Sequence, residues 1–294
     1  MPSLLTRVKS KMFVFAHRRA RGMLDGEYAS VFRGRSLDFD DLRAYIPGDE
    51  VRDIDWKASA RVGAPLIKRY VAVRRQTVLL VADTGRNMAA LARGGEVKKD
   101  IAVMALGVVG YLAVRHGDNV GLVHGDAGHT AARPAKGTEG HLEQLLQSVD
   151  AAATLEAGSS DLKTQLAHIS RSYATRMLLF VVADELALDE ETARLLRRLQ
   201  AQHEILWVQI RDAELAGEHA LALDSYDVAD RQAIAAALGR DAEVARDYAD
   251  AVAARSEATA SFMAARGIVM AQIGHSSEVV GTLFSLLERH RRAR

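Results

Sequence analysis

TVLLVAD, residues 77–83, is an unbroken apolar run that ends in an acid. A run without polar alternation is what a strand buried on both faces of a parallel sheet requires. The pattern returns at RMLLFVVAD, residues 176–184. Around these two runs the chain alternates between helical and extended signals. A helix is expected over 97–115, a strand at NVGLVHGD (119–126), and an edge hairpin at 129–135 carrying Pro134. Helices follow at 139–152 and 161–173, and after the second apolar strand a charged helix at 189–201. The strand HEILWVQIRD (203–212), an alanine-rich helix at 241–266, the strand GIVMAQIG (267–274) and a last helix ending near His290 complete the series. Strands separated by helices imply right-handed crossovers and an α/β fold with a doubly wound, mostly parallel sheet. Ligands of such sheets gather outside the carboxyl ends of the strands, so Asp83 and Asp184 are expected on one rim.

The segment before Thr77 has a different texture. SLLTRVKSKMFVFAHRRAR, residues 3–21, places Leu4, Leu5, Val8, Met12 and Phe15 near one helical face and basic residues on the other. A helix of this kind suits a membrane surface, a nucleic acid or an acidic partner, or simply packs on its own domain. Residues 22–63 are loop-rich and broken by glycines and the Pro47-Gly48 turn. PLIKRYVAVRRQTVLLV, residues 65–81, reads as one strand leading into the first strand of the sheet. The chain therefore divides into a charged N-terminal segment, 1–76, and a sheet domain, 77–294.

Composition removes several function classes. The 39 Lys and Arg against 38 Asp and Glu leave a formal charge of +1, so no global field selects nucleic acid or membrane. With no cysteine, thiolate zinc sites, disulfides and cysteine nucleophiles are absent, and a reducing, cytoplasmic setting is expected. The longest apolar run, Ile101 to Val114, falls short of the ~20 residues of a spanning helix, so no transmembrane segment is expected. There is neither a nucleotide-binding Gly-x-x-x-x-Gly-Lys loop nor a Gly-x-Ser-x-Gly elbow.

FDDLRAYIPGDEVRDIDWKASAR, residues 39–61, followed by VLLVADTGRNM, resembles the bacterial "domain of unknown function 58" family. The matching residues are Arg43, Tyr45, Pro47, Gly48, Asp49, Arg52, Ile54, Asp55, Trp56, Lys57, Ala60 and Arg61. The resemblance implies a von Willebrand factor A-like fold and association with MoxR-type AAA+ ATPases. The chain would then be a non-catalytic interaction module, an adaptor in a chaperone-like or assembly system.

Adhesion-type domains of that fold hold Mg²⁺ with an Asp-x-Ser-x-Ser loop, a Thr from a second loop and a later Asp, all hard oxygen donors. By the resemblance, the equivalents are Asp83, Gly85, Asn87, Ser160 and Asp184, with Arg86 inserted in the first loop. Gly85 offers no hydroxyl, so the site is degenerate. Either it binds a divalent ion weakly, or Arg86 or another basic group neutralises the two carboxylates, which would otherwise suffer raised pKa values.

The charge of residues 39–61 has two readings. Asp49, Asp53, Asp55 and Lys57 echo the acids and lysine of metal-dependent nucleases, and this cluster or the strand-end aspartates would serve a hydrolase. The architectural reading needs less: a loop-rich segment with few apolar residues must be pinned by polar contacts. Asp49 would accept backbone N–H bonds, and Arg43, Arg52 and Arg61 would pair with carboxylates. Trp56 would be the buried anchor against the sheet domain.

Overall fold

The computed structural model describes residues 3–18, 41–47, 49, 51, 54–69, 75–184, 186, 188–214, 225–229, 233–234 and 241–292. The sheet is built from β3 (Thr77–Asp83), β4 (Asn119–Gly125), β5 (Thr130–Lys136), β6 (Leu178–Ala183), β7 (Glu204–Ile210) and β10 (Val269–Ile273). Their order is β10-β7-β6-β3-β4-β5, and every neighbouring pair is parallel except β4 with the edge strand β5. The order runs outward in both directions from β3, so the chain switches sides between β3 and β6. That junction is where an open α/β sheet leaves a crevice.

Alternate residues of β3 serve the two faces. Val78, Leu80 and Ala82 pack with α1 (Leu4–Arg18), α3 (Lys98–Arg115), α4 (Glu139–Ala152) and α8 (Val279–Arg292). Leu79 and Val81 face α5 (Leu162–Ser172), α6 (Glu190–Gln202) and α7 (Ala242–Ala264). The apolar run Ile101 to Val114 forms the body of α3 and is buried almost all round, as its lack of a polar stripe requires.

The basic helix α1 lies on this domain. Leu5, Val8 and Met12 are buried, and Gly107 of α3 admits Val8, since a Cβ there would stand 2.5 Å from Val8 Cγ2. The Glu143 carboxylate of α4 accepts the Leu4 and Leu5 backbone N–H groups at 3.1 and 2.7 Å, capping α1 from another element. No helix among the described residues is long and apolar enough to cross a membrane.

Within residues 65–81 a strand precedes the first strand of the large sheet. β2 (Leu66–Arg69) pairs antiparallel with β1 (Asp41–Ala44) in a separate two-stranded sheet, and β3 begins anew at Thr77. The short helix α2 (Trp56–Val62) sits between β1 and β2, and the two-residue strands β8 (Ser225–Tyr226) and β9 (Ala233–Ile234) pair further on.

Candidate functional site

Asp83 closes β3 and Asp184 follows β6; because these strands are adjacent and parallel, both carboxylates stand at the same rim, at the switch point. They are 1% and 2% exposed. The loop after β3 turns at once into a 3₁₀ turn, Arg86–Ala89, with Met88 as its buried plug. The Gly85 N–H donates to Asp83 Oδ1 at 2.8 Å, which fixes the carboxylate and leaves Oδ2 without a partner.

Ser160 arrives from the loop before α5. That loop is stitched to its neighbours: Arg86 N–H donates to the Gly158 carbonyl, Ala127 N–H to the Ser159 carbonyl, and Gly158 N–H to Asp126 Oδ2, each at 2.9 Å. Asp126 also accepts from the Gly128 and His129 N–H groups, so it positions two loops at once. A Cβ on residue 85 would lie 2.5 Å from Ser160 Oγ and 2.5 Å from Ser160 Cα. The missing hydroxyl at position 85 is thus a steric fact: Ser160 occupies the space a side chain there would need.

Three oxygens gathered by these two loops, Asp83 Oδ2, Asn87 Oδ1 and Ser160 Oγ, are buried and make no hydrogen bond. The Ser160 hydroxyl is near enough to favour the charged form of Asp83 without forming a geometrically sound bond. Burial, and then the Asp184 charge, push the Asp83 pKa up to about 7 despite the opposing help of Gly85 N–H, Ser160 and Lys98. A cleft of about 490 Å³ opens beside them, lined among others by Asn87, Ser160, Asp184, Leu186, Leu188 and Arg255.

The basic group that answers Asp184 is Lys98. It opens α3, with its backbone N–H on the Ala90 carbonyl, and its ammonium lies 3.1 Å from Asp184 Oδ2. It also pairs with Asp212, just past the end of β7. A lysine at a helix N-terminus opposes the macrodipole, and at 2% exposure it is desolvated. Burial lowers its pKa, but Asp184 and Asp212 outweigh that and hold it above the ordinary lysine value. Arg86, the cation offered by the loop itself, has a buried Nε without a hydrogen bond. Sequence reasoning missed Lys98 and Asp212. The signal for Asp212 was present: HEILWVQIRD is a third apolar strand ending in an acid.

The donors suit a small hard cation such as Mg²⁺ in type, being three oxygens that lack any other partner. Asp83, Asn87 and Ser160 would hold it, and it would supply an open position for an acceptor from outside. Among the described residues there is no cluster of three or more His, Asp or Glu side chains arranged to hold a metal.

The charged segment separates into parts. Arg43 makes a bidentate pair with Asp49, at 2.6 and 2.7 Å, and Asp49 Oδ2 also accepts from Ile46 N–H at 2.9 Å. The Arg43 bond, with help from that N–H, holds the Asp49 pKa below the usual carboxylate range. Asp55 caps α2 by accepting from Lys57 and Ala58 N–H groups at 3.0 Å, while Ser59 Oγ accepts from Leu66 N–H. Tyr45 N–H donates to the Pro65 carbonyl, tying the Pro47 turn region to β2. Trp56 is not a buried anchor: it is 65% exposed, on a helix none of whose residues is buried. The buried apolar contact is Ile67, paired across an isolated bridge with Ile54. Arg61 makes no ion pair among the described residues and instead occupies the last turn of α2. Gly48, Arg52 and Asp53 lie outside the described residues.

Uncharacterized proteins Mb1516 of Mycobacterium bovis and Rv1480 of Mycobacterium tuberculosis H37Rv are each 27% identical over 198 residues, covering 66% of this chain. The chain spans 62% of the length of those relatives. Similar solved structures include an aerotolerance-related membrane protein from Bacteroides fragilis (10% identity, TM-score 0.46, covering 74% of this chain and all of that one). A von Willebrand factor type A protein from Catenulispora acidiphila is another (10% identity, TM-score 0.40, covering 75% and 43%). Such likenesses are too loose to inform function. The model of the protein of unknown function DUF58 matches residues 41–258, well over half of the sequence. The chain belongs to the DUF58 family.

Proposed function

We propose that the chain is a non-catalytic module that binds a protein partner through the rim formed by Asp83, Arg86, Asn87, Ser160 and Asp184. The observation that carries this reading is the set of buried, unpartnered oxygens of Asp83, Asn87 and Ser160 beside a cleft at the sheet's switch point. Unpaired buried acceptors are costly, and a positive group completes them. A dication held there is one such group, and it would leave a position for a partner's oxygen. The partner implied by the family motif is a MoxR-type AAA+ ATPase, with this chain as adaptor.

The hydrolase reading has less support. Arg43 and Ile46 hold Asp49, and the Asp55 carboxylate is engaged in capping α2. The test is direct binding, by biolayer interferometry, of the purified chain to a MoxR-type ATPase from the same organism. Binding that is lost in Asp83→Ala supports the proposal; equal binding by wild type and variant contradicts it.

A further inference from the structure

Asp184 is counted by the family motif among the ligands of an ion at this rim, yet its carboxylate is already engaged. Lys98 Nζ lies 3.1 Å from Asp184 Oδ2, both side chains are 2% exposed, and the same ammonium holds Asp212. Two carboxylates from neighbouring strand ends thus share one fixed cation. On the other side of the rim, Asp83 Oδ2, Asn87 Oδ1 and Ser160 Oγ make no hydrogen bond. The acids of the rim fall into two sets, Asp184 and Asp212 paired directly with the ammonium and Asp83 feeling it only from a distance. Lys98 is held in place from both directions, by its backbone bond to the Ala90 carbonyl and by its two acids, so it is not a side chain free to swing away.

We infer that Lys98 is a positioning residue that withdraws Asp184 from the cation site, so that a divalent ion is held by Asp83, Asn87 and Ser160 alone and weakly. The inference rests on the proposed rim. Its content is that affinity for the ion is set by a lysine outside the loop motif. A dication drawn toward Asp184 would have to approach a buried ammonium, and like charges in a desolvated site repel strongly. Taking the ammonium away returns Asp184 to the donor set.

Mn²⁺ is the probe, followed by electron paramagnetic resonance and by the shift in melting temperature. In wild type, Asp184→Asn keeps an acceptor for Lys98 and is expected to change Mn²⁺ affinity less than about threefold, whereas Asp83→Asn abolishes binding. Lys98→Gln is expected to bind Mn²⁺ at least tenfold more tightly than wild type, and Asp184→Asn in that background removes the gain. A tenfold loss from Asp184→Asn in wild type overturns the assignment. So does Lys98→Gln binding no better than wild type, or neither protein binding at all. Partner capture is scored separately with the same proteins: a rim that captures its partner while Lys98→Gln gains no metal contradicts the Lys98 role alone.

Discussion

A Cβ placed on Gly85 would stand 2.5 Å from the Ser160 hydroxyl and 2.6 Å from its backbone nitrogen. The loop after β3 and the loop before α5 therefore meet face to face at a position where only glycine fits. Restoring the adhesion-type serine by Gly85→Ser is expected to damage the site, not repair it. The serine must displace backbone, at about 1–3 kcal/mol for overpacking. Chemical denaturation checks the loss, and Mn²⁺ titration is expected to show weaker binding than wild type.

Asp83 ties stability to pH. Its pKa rises from 3.8 to about 7 on folding, so the folded state favours the protonated acid. That contribution is complete below the unfolded value and is lost as pH climbs through about 7. Three units correspond to about 4 kcal/mol at most. Metal-free protein is expected to lose stability between about pH 4 and 7, and Asp83→Asn to flatten that slope. Urea melts in chelator across the range measure both.

Removing the ammonium from the Lys98 pair strands the buried Asp184 carboxylate. Lys98→Met without metal is expected to cost about 3–5 kcal/mol, the usual penalty for breaking a buried pair. Adding Asp184→Leu to that variant removes the stranded charge and is expected to recover part of the loss. A double-mutant cycle by denaturation reads the coupling.

In the charged segment, Asp55→Ala deletes the cap of α2 at about 1 kcal/mol. Trp56→Ala, at a position 65% exposed, is expected to leave the melting temperature within error. A large loss from Trp56→Ala would show that the ring is covered within the folded chain. The exposed ring thus separates a packing role from a binding one, and calorimetry of both variants decides.

The rim was legible from sequence because its two marks, apolar strands ending in Asp83 and Asp184, follow from strand burial and parallel topology alone. α3 was readable from its own apolar run, and the edge strand from the turn before it and Pro134. The neutralising cation was not. Lys98 looks like any lysine opening a helix, and only the close approach of the β6 and β7 ends gives it two acids to hold. The exposed Trp56 defeated a rule about large aromatics, because burial depends on what lies opposite, and no residue of α2 is buried.

The most direct measurement is affinity purification from the native host with three baits of matched folding: wild type, Asp83→Ala/Asp184→Ala, and Arg197→Ala on α6 as a control away from the rim. The account expects one and the same protein, a MoxR-type ATPase, on wild type and control, and its absence from the rim variant. Retention of that protein by the rim variant, or turnover of a substrate by the purified chain unaided, would contradict it.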